Sequence, residues 1–194
     1  MLNDIKIILA SGSPRRRQLL SSLGVEFEVV DPNVDESYQK GMAPDEITKS
    51  MACKKAAAVA KKYKNYAIIA ADTIVAIDGI ILEKPKDRQD ALNMLNMLSG
   101  RWHEVHSGVC IVCKDKSSIF NQVTRVHFSE LDNSQIKWYV NTLEPMDKAG
   151  AYGIQGYGSM FVDRIEGDFY NVMGFPISKI MKELTKLKIY DVRA

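Results

Sequence analysis

The segment Ala67-Ile-Ile-Ala-Ala-Asp-Thr-Ile-Val-Ala-Ile77 constrains the fold of this 194-residue chain most strongly. Nine of its eleven residues are apolar, and so long a run bounded by polar residues reads as a buried strand. Ile5–Ala10 is a second apolar run of this kind. Ser11-Gly-Ser-Pro14 is a turn, and Pro14 suits the first position of a helix over 14–23 closed by Gly24. A short strand is expected over 27–30, then a polar loop over 31–41 and a long helix over 44–62. Asp78-Gly79 is a hairpin signal between the 67–77 strand and a returning strand over 80–83. Helices over 87–98, 132–141 and 176–187 and strands over 102–113, 118–128 and 160–165 follow. Residues 148–158 read as a glycine-rich loop. Strands and helices alternate first and antiparallel strands come after, which indicates a three-layer α/β fold with a mixed sheet.

The chain length suits one domain over 1–194, or two lobes sharing a core. The chain carries 26 Lys+Arg against 24 Asp+Glu, so the basic excess of a nucleic-acid-coating protein is missing. No apolar run approaches the roughly 20 residues of a membrane span. The first residues lack a basic segment followed by an apolar one, so a cytoplasmic protein is expected. Three cysteines, Cys53, Cys110 and Cys113, fit a reducing compartment. Cys110-Ile-Val-Cys113 lies within a strand, where residues three apart face opposite ways, and no second pair completes a zinc site. His103-Glu-Val-His106 falls one residue short of H-E-x-x-H, so the histidines read as structural.

Four places put charge where the local pattern disfavours it. Ser13-Pro14-Arg15-Arg16-Arg17 opens a helix with three arginines, although a helix N-terminus carries partial positive charge. Either the arginines point into solvent, or an anion sits in the Ser11-Gly-Ser turn, as in a phosphate cradle. Asp72 interrupts the apolar strand, where a carboxylate costs several kcal/mol unless paired or bound to metal. It reads as a backbone-bonded strand-end residue, a metal ligand or a general base, and on this basis its neutralisation should hold or raise stability. Lys55 falls at about 80° on a helical projection, inside the apolar arc that runs from Ile47, Ala58 and Met51 to Val59 and Ala52. It either snorkels or reaches an anionic site. Lys84, at the end of the returning strand, is expected near Asp72 across the hairpin, either as part of a surface ion pair or as a cation of the site. The loop 31–36 adds carboxylates. Cations, carboxylates and a phosphate-type turn together point to a metal-assisted enzyme acting on a polyphosphate, with Mg²⁺ or Mn²⁺.

These segments resemble the Maf family of nucleoside triphosphate pyrophosphatases. The resemblance runs from Leu9-Ala-Ser-Gly-Ser-Pro-Arg-Arg16 through Ala71-Asp-Thr73, Leu82-Glu-Lys-Pro85, Leu98-Ser-Gly100 and His106-Ser-Gly108 to Asp147-Lys-Ala-Gly-Ala-Tyr-Gly-Ile-Gln-Gly156. It implies an elongated mixed sheet with a deep cleft between two lobes, similar to inosine-triphosphate pyrophosphatases. It also implies hydrolysis between the α- and β-phosphates with a divalent metal. Asp72 matches the family's proton acceptor, and Ser11, Arg16, Glu36, Lys55 and Lys84 match phosphate- and metal-handling positions, with metal expected on Glu36 and Asp72. Arg15, Thr73 and Gln155 match the positions that divide the family by substrate and resemble the branch acting on dTTP and UTP. The expected partner is a nucleoside triphosphate, with no nucleic acid and no membrane, and a homodimer left open. The alternatives are a pyrophosphatase for modified nucleotides of the 7-methyl-GTP type and a non-enzymatic regulator of cell division.

Overall fold

In the computed structural model, which describes residues 5–190, a seven-stranded mixed sheet is the framework. In chain order the elements are β1 (Ile7–Ala10), α1 (Pro14–Ser21), β2 (Phe27–Val30), α2 (Pro44–Ala60), β3 (Ala67–Ile77), β4 (Ile80–Leu82), α3 (Arg88–Leu98), β5 (Trp102–Cys113), β6 (Lys116–Phe128), α4 (Asn133–Asn141), β7 (Val162–Glu166), α5 (Phe169–Val172) and α6 (Ile177–Lys186). The strand order is β2-β1-β3-β5-β6-β7, with β4 paired to β3. β1 runs parallel to β2 and β3, whereas β4 and β7 are antiparallel to β3 and β6. The mixed α/β expectation is met, and β3 and β5 occupy the residues read for them.

The described chain divides into two compact units. The first holds the residues up to Asp72, Ser107–Gln122 and those from Gly174 on; the second holds Thr73–His106 and Val123–Met173. In the first, Ala52, Ala56 and Val59 of α2 pack on Ile8, Ala10, Ile68, Ala70 and Cys110 of the sheet. In the second, α3 and α4 cover Val75, Val126 and Phe128, with Tyr139, Tyr152 and Phe161 filling the space between.

Local signals explain most helix starts. Pro44 opens α2, Asp45 and Glu46 occupy its first turn, and the Glu46 carboxylate accepts from the Ala43 N–H at 3.2 Å. Asp87 caps α3 by accepting from Asp90 N–H at 2.8 Å. Asp132 and Gln135 form a reciprocal capping box on α4. Asp78 and Gly79 both take positive φ, as a two-residue hairpin of this hand requires.

Gly108 fixes the seat of α2. A Cβ at this position on β5 would lie 2.2 Å from the Thr48 carbonyl carbon and 2.4 Å from the Lys49 nitrogen. The helix backbone therefore rests directly on the strand backbone. Thr48, fully buried, adds a hydrogen bond from its hydroxyl to Asn121 Oδ1 at 3.1 Å. Gly108→Ala should destabilise by about 1–3 kcal/mol, because backbone rather than a flexible side-chain end must give way. A thermal melt should show the loss, at about 2–4 °C per kcal/mol for a chain this size.

Candidate active site

Arg16 on α1, Lys55 on α2, Ser11 in the turn before α1 and Glu36 in the loop before α2 gather around Ala71 and Asp72 in the middle of β3. Lys55, only 6% exposed, lies on the buried face of α2. Its Nζ donates to Asp72 Oδ1 at 2.7 Å and pairs with Glu36 Oε1 at 2.7 Å. The lysine is thus held between two carboxylates and is not a snorkelling side chain. The Asp72 side chain is 15% exposed and that of Glu36 58% exposed, so the cluster has a buried end and a wet end. Glu36 sits in a loop braced by two Asx-type bonds, Asn33 N–H to Asp31 at 3.0 Å and Ser37 N–H to Asp35 at 3.1 Å. Consecutive acidic residues meet consecutive lysines, since Asp35 pairs with Lys54 at 3.6 Å. That second pair is exposed and contributes little.

Arg16 projects from the first turn of α1 and is tied to backbone rather than pointed into solvent. Its Nε donates to Gly174 O at 2.9 Å, and one terminal nitrogen reaches Ala71 O at 2.7 Å and Ser11 Oγ at 3.4 Å. Burial pushes this guanidinium below its ordinary value, while Asp72 raises it, Arg15 lowers it and Glu36 raises it. It remains a cation at neutral pH. Ser11 is buried, and its hydroxyl oxygen accepts from Ser13 N–H at 3.2 Å, which shapes the turn before the helix. Among the described residues no side chain caps α1, and its first turn carries no acidic residue. A helix N-terminus carries partial positive charge, which favours an anion there. Arg15 is half-buried in the same turn.

Thr73, Lys84 and Gln155 belong to the second unit. Thr73 follows Asp72 on β3, so the two side chains leave opposite faces of the strand. The β3–β4 ladder ends at Val75↔Leu82, two residues before Lys84, which is exposed. The hairpin pairing expected to carry Lys84 alongside Asp72 thus stops short. Gln155 is exposed in the loop between the 3₁₀ turns Ala149–Ala151 and Tyr157–Phe161.

No group of three His, Cys, Asp or Glu capable of holding a metal occurs among the described residues. Asp72 and Glu36 nevertheless converge on one cation through hard oxygen donors, a set that suits Mg²⁺ when substrate phosphates supply further ligands. The cysteines and histidines offer no competing chemistry. Cys110 is buried, its thiol pushed up to about 12 by burial and the neighbouring Cys53, and burial likewise raises Cys113. His103 is pushed down to about 4 by burial and bonds the Tyr152 hydroxyl at 2.8 Å. His106 meets Glu104 at 3.0 Å and His127 meets Asp163 at 2.7 Å. Sequence reasoning missed the anchorage of Arg16 on Gly174, which joins residues 158 positions apart.

The Maf-like protein family model matches residues 6–187. A dTTP/UTP pyrophosphatase of Bacillus thuringiensis is 48% identical over 184 residues, covering 95% of this chain and 96% of that protein. One from Bacillus cereus is 48% identical over 187 residues, covering 96% and 92%. A HAM1 protein structure from Coxiella burnetii aligns with a TM-score of 0.48 at 15% identity, covering 94% of this chain and 99% of that one. With the family model spanning nearly the whole chain and nearly half the residues shared with full-length relatives, this chain belongs to the Maf-like protein family.

Proposed function

We propose that this chain is a nucleoside triphosphate pyrophosphatase that hydrolyses dTTP and UTP to the nucleoside monophosphate and pyrophosphate. The observation that carries the reading is the buried Lys55 ammonium between Asp72 and Glu36, in a chain 48% identical to proteins named for this reaction. Asp72 accepts the proton of the attacking water. An ammonium has three N–H donors; two point at the carboxylates, and a phosphate oxygen takes the third. Arg16 and the α1 N-terminus, with Ser11 shaping the turn, bind phosphate oxygens, and Lys84 is assigned to charge on the leaving pyrophosphate. Asp72 and Glu36 are the residues that would hold a divalent cation, which when bound neutralises phosphate charge. Arg15, Thr73 and Gln155 are assigned to choice of base. A site that bonds a base edge leaves buried polar groups unpaired with the wrong base.

Pyrophosphate release from dTTP, UTP, CTP, GTP, ATP and 7-methyl-GTP at fixed Mg²⁺ or Mn²⁺ tests the proposal. dTTP and UTP should show the highest kcat/KM. If a purine nucleotide ranks first, the base assignment is wrong; if no nucleotide yields pyrophosphate, a non-enzymatic regulator becomes the better reading.

A further inference from the structure

We propose that Glu144, with Tyr139 behind it, is a positioning residue that sets the Gln155 loop and through it the discrimination between bases. The proposal rests on the reading of Gln155 as a base-contacting residue given above. The Glu144 carboxylate accepts three hydrogen bonds. Oε1 takes the Tyr139 hydroxyl at 2.9 Å and the Gly158 N–H at 3.1 Å, and Oε2 takes the Tyr157 N–H at 3.0 Å. The Tyr139 oxygen in turn accepts from Gly153 N–H at 3.2 Å. Both sides of Gln155 are therefore gripped by one carboxylate–phenol pair, two residues before it and two and three after it.

This grip replaces an ordinary cap. Tyr157 and Gly158 begin a 3₁₀ turn whose N-cap, Gly156, has no side chain to satisfy their N–H groups. Glu144 does so from 13 and 14 residues upstream. The loop sequence is fitted to it. A Cβ on Gly156, at φ 82°, would come 2.6 Å from Glu144 Oε2, and one on Gly158 would come 2.7 Å from the Tyr139 oxygen. Tyr139 is fully buried, with its ring edge-on to Phe161 at 4.9 Å. Burial raises its hydroxyl, which therefore stays protonated as the donor that Glu144 requires. Gln155 itself is exposed, so the grip fixes its backbone and leaves its amide available.

The test compares Glu144→Gln, Tyr139→Phe and Gln155→Ala with the wild type in kcat and KM for dTTP and CTP, beside thermal melting and amide exchange at 153–158. Tyr139→Phe keeps the ring contact with Phe161 and removes only the hydroxyl, so it remains informative if Glu144→Gln folds poorly. Either grip variant should raise KM for dTTP and lower the dTTP-to-CTP ratio of kcat/KM, each about tenfold, the equivalent of one lost hydrogen bond. kcat should fall by less than about threefold, because the phosphate-handling residues are untouched, and exchange at 153–158 should accelerate. If Gln155→Ala abolishes the preference while both grip variants keep it, Glu144 is merely structural and the proposal is overturned. If the wild type shows no preference, or Gln155→Ala retains it, the base reading fails and takes the proposal with it.

Discussion

Asp72→Asn should fold and lose at least about 100-fold in turnover, since a positioned general base contributes about 10²–10⁴-fold. Asparagine keeps the shape of a side chain that is 15% exposed on β3, but it accepts no proton and presents a weaker donor set to a divalent ion. Stability should fall, not hold or rise as the isolated strand pattern predicts. The pattern counts the burial of one carboxylate; the structure gives that carboxylate a buried ammonium 2.7 Å away. With Glu36 still paired to Lys55, the loss should be about 1.5–3 kcal/mol, the range for a hydrogen bond to a charged group. Pyrophosphate release and a thermal melt on the same preparation separate the two effects. Retention of more than about a tenth of wild-type turnover would contradict a central role for Asp72.

Lys55→Met should cost about 10²–10³-fold in kcat, the scale of removing one preorganised donor from a developing charge. Methionine keeps the packing of the stem against the sheet. The substitution leaves Asp72 and Glu36 with no cation between them, and like charges held close disfavour each other. The variant should therefore also melt lower than the wild type. Measurement at saturating Mg²⁺ removes any deficit that is only one of metal affinity. A fully active Lys55→Met would return this lysine to a packing role.

The sequence is most informative where charge broke an apolar pattern. Asp72 and Lys55 were visible for that reason, and the structure joins them. β3 was legible end to end because burial leaves a long apolar signature, whereas β5 carries an unbroken apolar run only over 109–113. α1 ends earlier than its pattern, at Ser21, and β7 starts later, at Val162, because the 3₁₀ turn at Tyr157–Phe161 takes the preceding residues. α5 escaped notice because four residues give no period to read. The seat of α2 on Gly108 and the tether from Arg16 to Gly174 were invisible for another reason. Both are approaches to backbone, and a backbone carbonyl leaves no mark on the residue that bears it. Glu144 was missed because its partners are N–H groups in a distant loop.

The peptide between Asp72 and Thr73 is where β3 passes from one compact unit to the other. On the proposed assignments, it separates Asp72, which accepts the proton, from Thr73, one of the three residues assigned to choice of base. A change at Thr73, at Gln155 or in the supports of its loop thus alters nucleotide preference and leaves Ser11, Arg16, Glu36, Lys55 and Asp72 in place. A new substrate then requires no reinvention of hydrolysis, and one scaffold can radiate into a set of enzymes that differ in what they recognise and agree in what they cut.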